Sequence, residues 1–197
     1  MLVFLPRIFS IFMSMYESFQ ECQFFTATNL NWMPLLKDER NKKVILDSLS
    51  YMVKNNRCKI YAFVIMPNHI HLILDLVKDS KSTFQRDFLR FTAQQCLYNF
   101  KADNSSILTK LLSTQNDRKY QFWERNPFWT PILSEEDLFQ KISYIHFNPI
   151  EKKQLNCHRP TDYKWSSAKS FFDKKAIFGF IEPILTERDW NHLNNAY

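Results

Sequence analysis

The chain has 197 residues, the size of one ordinary domain. Its single glycine, Gly179, excludes every glycine-rich phosphate loop, so any handling of phosphates falls to side chains and a metal. A net charge of +6 and a pI near 9.1 suit an acidic polymer as partner, and eight basic against three acidic residues between positions 141 and 175 place nearly all of that excess in one stretch.

Residues 1–20 open with MLVFLPRIFSIFM, which is apolar, broken by Pro6 and Arg7, and too short to span a bilayer. They read as an N-terminal extension. Either translation properly starts at Met13 or Met15, or a short amphipathic helix docks on the domain. The domain itself is expected over residues 21–175, with a tail over 176–197. CQFFTAT, residues 22–28, reads as a first strand, and a loop with Pro34 follows. Asp38 caps a predicted helix from about 39 to 54, in which Ile45, Leu49, Met52 and Val53 share one face.

KIYAFVIMPNHIHLILDL, residues 59–76, is two apolar runs around Met66-Pro67-Asn68, the pattern of a β-hairpin. Ser82-Thr83-Phe84-Gln85 has the form of a capping box, opening a helix to about residue 101 with Phe84, Phe88 and Phe91 on one side. Residues 102–119 are a polar connection with a short helix at 107–112. Strand-like material returns in YQFWERNPFWTPIL, residues 120–133. Ser134 and the acidic run Glu135-Glu136-Asp137 begin a helix with a buried stripe of Leu138, Ile142 and Ile145, which Pro149 is expected to stop at residue 147 or 148. HRPTDYKWSSAKSFF has loop and helix character. The order strand–helix–strand–strand–helix–strand predicts an α+β fold, a ferredoxin-like antiparallel β-sheet with packed helices, followed by a C-terminal helix carrying Tyr144. Cys22, Cys58, Cys96 and Cys157 have no zinc-ligand spacing and read as reduced thiols of a cytoplasmic protein with no membrane segment.

Side chains alternate along a strand, so His69 and His71 face one way while Ile70, Leu72, Leu74 and Leu76 face the other, into a core. Two imidazoles on a rigid strand make half of a metal site, leaving room for an oxygen ligand and for water or phosphate. His-x-His on a strand is a weak signal alone. It gains weight beside the helix face that carries Gln140, Lys141, Tyr144 and Asn148. Tyrosine forms covalent intermediates, though a phenol is a weak nucleophile at neutral pH and needs a positive field such as Lys141 or the metal. No general base is evident. The amide of Asn148, one turn beyond Tyr144, is a candidate third ligand, whereas His146 lies on another side of the helix and reads as a packing residue or a support behind the ligands, not as a ligand. Arg125 either sits among core aromatics or lies near the substrate.

MPNHIHLIL resembles the signature of the HUH endonucleases, in which two histidines bracket a bulky apolar residue. YIHFNPI, followed by DYKWSSAKSFF, resembles the C-terminal signature of single-tyrosine transposases, and the joint pattern is most similar to the REP-associated tyrosine transposases. The resemblance runs from Phe24 to Phe172. It implies that His69, His71 and Asn148 bind Mg²⁺ or Mn²⁺. It implies that Tyr144 cleaves single-stranded, hairpin-forming DNA, leaving a 5′-phosphotyrosine and a free 3′-hydroxyl, and that rejoining is the reverse. It also implies a nucleoid-associated bacterial protein. Lys141, Lys152, Lys153, Arg159 and Arg125 are candidates, from charge, for contacts to the DNA backbone. A homodimer is open, because some relatives build each site from two chains. QFFTATNLNW lacks the histidine and arginine common in the family's first strand and beyond, and Glu151-Lys152-Lys153 stands where a small residue and a glycine are usual. These departures bear on which DNA sequence is read. The alternatives are a catalytically idle hairpin-binding protein domesticated from a transposase, and an RNA-binding sheet that stacks bases on outward aromatics.

Overall fold

The computed structural model describes residues 22–151, 155–173 and 177–183. Four strands, β1 (Gln23–Thr28), β2 (Cys58–Ile65), β3 (His69–Leu76) and β4 (Phe128–Pro131), pair antiparallel in the order β2-β3-β1-β4. Helices α1 (Glu39–Lys54), α2 (Lys81–Ala102), α3 (Ile107–Lys110), α4 (Glu135–Glu151) and α5 (Ala168–Phe172) complete the ferredoxin-like arrangement read from the sequence.

Alternation along the strands gives the sheet two apolar faces. Phe25, Phe63, Ile70, Leu72 and Leu74 pack on Ile45 and Leu49 of α1 and on Phe84 and Phe88 of α2. Phe24, Ala62, Val64 and Ile73 face the other way, onto Leu138, Ile142 and Ile145 of α4. A bulge at Tyr61 shifts the register between Ile60 and Ala62, so Ile60 and Ala62 lie in different layers. Met66 N–H donates to the His69 carbonyl at 2.8 Å, closing the β2–β3 hairpin over Pro67 and Asn68. The free edge of β2 is covered rather than open: Ile65 N–H donates to Trp165 at 2.8 Å, Ser167 N–H to Phe63 at 3.0 Å and Glu182 N–H to Ile60 at 2.9 Å.

Asp38 caps α1 as expected, accepting from Arg40 N–H at 2.8 Å. Four details differ from the sequence reading. The cap of α2 is Ser80, two residues before the apparent capping box, and its hydroxyl accepts from Thr83 N–H. The buried line of α2 runs through Phe84, Phe88, Thr92 and Cys96, following an i, i+4 ridge, so Phe91 falls off it and is exposed. Of residues 120–133 only Phe128–Pro131 form a strand, while Phe122 and Trp123 sit in the core and the Trp123 indole donates to Thr92 at 3.1 Å. Pro149 does not stop α4. It falls in the last turn, where the bond it forfeits is a terminal one, and burial of its ring offsets the loss. Among the described residues no helix is long and apolar enough to cross a membrane.

Candidate metal and nucleophile site

The register of the sheet builds the first half of the site. Thr28 lies opposite His69 and Thr26 opposite His71. The two imidazoles emerge on one side, centroids 4.7 Å apart, and both residues are buried. His71 Nδ1 is hydrogen-bonded to Thr26 Oγ1 at 2.7 Å. With Nδ1–H donating to that hydroxyl, the lone pair sits on Nε2, which is buried and has no partner. Burial, reinforced by the neighbouring His69, pushes the His71 imidazole down to about 3, so it is held in the neutral form that ligates. His69 is held in turn by Asn68, its Nδ1 lying 2.7 Å from Asn68 Oδ1.

Helix α4 supplies the second half. Leu138, Ile142 and Ile145 seat it on the sheet, which turns Tyr144 toward β1 and β3. The Tyr144 ring lies 5.1 Å from His71 and 6.0 Å from Phe24, centroid to centroid, and Phe24 stacks on His71 at 5.3 Å. Tyr144 is 44% exposed, so it touches His71 and is also reached by solvent. One turn on, Asn148 is buried and its Oδ1 has no hydrogen-bond partner. Lys141 holds its ammonium 5.4 Å above the Phe24 ring, so a positive charge stands one ring away from the phenol. His146 points elsewhere, Nε2 bonded to Ser167 Oγ at 2.9 Å and the ring 4.6 Å from Phe171, which is a packing position.

Whether these residues suit a divalent cation can be tested on their unpartnered atoms. A buried imidazole nitrogen and a buried amide oxygen without partners are donors that a hard or borderline cation accepts. Among the described residues no group of three His, Cys, Asp or Glu could hold a metal, so an ion held by the two histidines would need other donors, such as an amide oxygen and water. Such a mixed nitrogen and oxygen set is compatible with a divalent cation and does not by itself select one.

The more distant candidates are not gathered here. Arg125 precedes β4 with its guanidinium 3.7 Å from Asp117. Arg159 is exposed and pairs with Asp162 at 3.4 Å. Lys152 and Lys153 lie outside the described residues, as do residues 1–20 and most of the expected tail. Sequence reasoning missed Phe24, Thr26, Asn68 and Trp32. Alternation in QFFTAT placed Phe24 and Thr26 on one face, but only the pairing of β1 with β3 shows that this is the histidine face. Tyr144 meets His71 of its own chain.

No protein-family model matches the chain. A Haemophilus influenzae protein with the provisional description REP-associated tyrosine transposase is 23% identical over 141 residues, 64% of this chain and 73% of that protein. A solved REP-associated tyrosine transposase bound to a REP hairpin is similar with a TM-score of 0.53 at 18% identity, covering 84% of each chain, which shows the shared fold. A transposase structure from Deinococcus radiodurans is a looser match, with a TM-score of 0.44 at 18% identity over 63% of this chain and 87% of that one. The likeness read from the two motifs thus returns in the comparisons, in which this chain is similar to REP-associated tyrosine transposases.

Proposed function

We propose that the protein is a metal-dependent endonuclease and strand transferase of hairpin-forming single-stranded DNA. The observation that carries this reading is the meeting of Tyr144 with His71 at 5.1 Å, two residues remote in the chain that share one buried-to-solvent corner. The relationship to transposases, one of them solved with a REP hairpin, supports it. His69, His71 and Asn148 would hold Mg²⁺ or Mn²⁺, which when bound polarises a phosphoryl oxygen and stabilises a departing alkoxide.

Everything else falls to the chain's own side chains. Thr26 and Asn68 hold the two imidazoles in orientation and tautomer. Phe24 keeps the phenol against His71, and the Lys141 charge favours an incoming phosphate. Tyr144 Oη attacks the phosphorus. The new Oη–P bond forms as the P–O3′ bond breaks, the phenolic proton passes to solvent, and the leaving oxygen takes one up as a 3′-hydroxyl. One phosphodiester is exchanged for another, so rejoining by a 3′-hydroxyl needs no further energy source.

The test is incubation with a labelled hairpin-forming strand and Mn²⁺, followed by denaturing electrophoresis. A covalent adduct is expected, absent in Tyr144→Phe and lost on chelation. An adduct that persists in Tyr144→Phe refutes the nucleophile. Tight hairpin binding with no adduct under any divalent metal refutes catalysis and favours the idle, domesticated reading.

A further inference from the structure

The histidine face of the sheet is flanked by two exposed rings, Trp32 and Phe128, each 62% exposed. Trp32 stands beside His69, ring centroids 5.8 Å apart. Phe128 lies opposite Thr26 in the register, and Thr26 lies opposite His71, so all three side chains leave the sheet on the same side. Phe128 is therefore two strands from His71, about 10 Å. Neither ring belongs to either hydrophobic cluster or packs against one, so the core does not explain them.

Trp32 also occupies a backbone conformation that a bulky residue rarely enters. Its φ is 56°, and that of Asn31 before it is 52°. The turn is pinned from two sides. Asn31 N–H donates to Glu124 Oε1 at 2.7 Å, and Asn68 Nδ2 donates to the Trp32 carbonyl at 3.4 Å. Asn68 is the same side chain that holds His69. One amide therefore links the turn that carries the exposed indole to the candidate metal ligand.

We propose that Trp32 and Phe128 are stacking platforms for bases of an unpaired DNA strand crossing this face, one on each side of the phosphate offered to Tyr144. The inference rests on the function proposed above. A single strand alternates charged phosphates with flat apolar bases, and this face alternates in the same way, with His69, His71 and Thr26 between two rings. Stacking on an aromatic face tolerates any base, so the platforms serve whatever sequence is read elsewhere.

The test compares an oligothymidylate with an abasic strand of equal length, which keeps the phosphates and lacks the bases. Affinities are read by fluorescence anisotropy in chelator, on the Tyr144→Phe background, so neither metal nor cleavage intervenes. The parent should prefer the oligothymidylate. Trp32→Ala and Phe128→Ala should each weaken its binding about fivefold or more, the double variant should bind it no better than the abasic strand, and Trp32→Phe should retain most of the affinity. Binding to the abasic strand should not change. Trp32→Gly, which relieves the left-handed backbone, should melt no lower than the parent while losing the same base-dependent affinity. A double variant that binds the oligothymidylate like the parent, or that loses abasic binding equally, overturns the platforms and leaves the proposed function standing. A parent that binds neither strand also overturns the platforms, while the hairpin assay above tests the proposed function separately. Tighter binding of oligouridylate with the same dependence on Trp32 overturns the assignment to DNA.

Discussion

Asn148 shows what a residue can cost a fold. Its amide oxygen is buried and unpartnered, and such a group carries a desolvation penalty of about 1–3 kcal/mol. Replacing it by an apolar residue of similar size removes that penalty. Asn148→Leu is therefore expected to raise stability by about 1 kcal/mol in chelator, measured by denaturant unfolding, while sharply lowering the yield of the Mn²⁺-dependent adduct. If the variant is less stable and forms adduct normally, the oxygen is not a ligand held in waiting. The four-residue step from Tyr144 to Asn148 was legible in the sequence because helical period alone sets it. The hydrogen bond from Thr26 to His71 was not, since it depends on which residues of β1 and β3 come opposite each other.

At the scale of elements, the segment from Tyr163 to Ser167 deserves its own prediction, since it closes the edge of β2 beneath α4. The Tyr163 hydroxyl donates to the Ile65 carbonyl at 2.8 Å, and burial pushes its ionisation above the ordinary phenol range. In the unfolded chain the phenol ionises near pH 10. Above that pH the unfolded state releases a proton that the folded state keeps, so this tyrosine's contribution to stability, complete below pH 10, is lost as pH rises. Tyr163→Phe should cost about 1 kcal/mol at neutral pH through the lost hydrogen bond. It also removes an alkaline slope of up to about 1.4 kcal/mol per pH unit, so the deficit should close and then reverse as the pH climbs past about 11. Paired denaturant melts at neutral and alkaline pH check this, and a deficit independent of pH would mean that the folded phenol ionises freely. Element boundaries were readable where periodicity and caps agreed, as for α1 and the hairpin. They were misjudged where a local signal competed with packing: at Ser80, where Ser82 looked the better cap, and at Pro149, where the helix continues.

For the whole molecule, charge is distributed unevenly along the sequence. Most of the net charge of +6 arises between positions 141 and 175, the stretch that contains the C-terminal part of α4 and its tyrosine. A strand drawn to this side displaces counterions, so the logarithm of affinity should fall linearly with the logarithm of salt concentration. Removing one contacting lysine, as in Lys152→Ala or Lys153→Ala, should reduce that slope by about 0.7 for single-stranded DNA and weaken all sequences alike. Titrations at several salt concentrations measure it, and an unchanged slope removes that lysine from the interface.

By itself the sequence determined the periodic features: alternation that sends His69 and His71 one way, the three-residue stripe that gives α4 its buried side, and an element order that admits a ferredoxin-like sheet. Each depends on neighbours within a few residues, where backbone geometry leaves little choice. The tertiary structure alone decided that α4 covers the histidine face, that Phe24 and Thr26 support His71, and that Trp32 and Phe128 stand exposed at its flanks. Those outcomes follow from strand register and from the seating of one helix, which are set by how the entire apolar surface closes and are written in no single stretch of the chain.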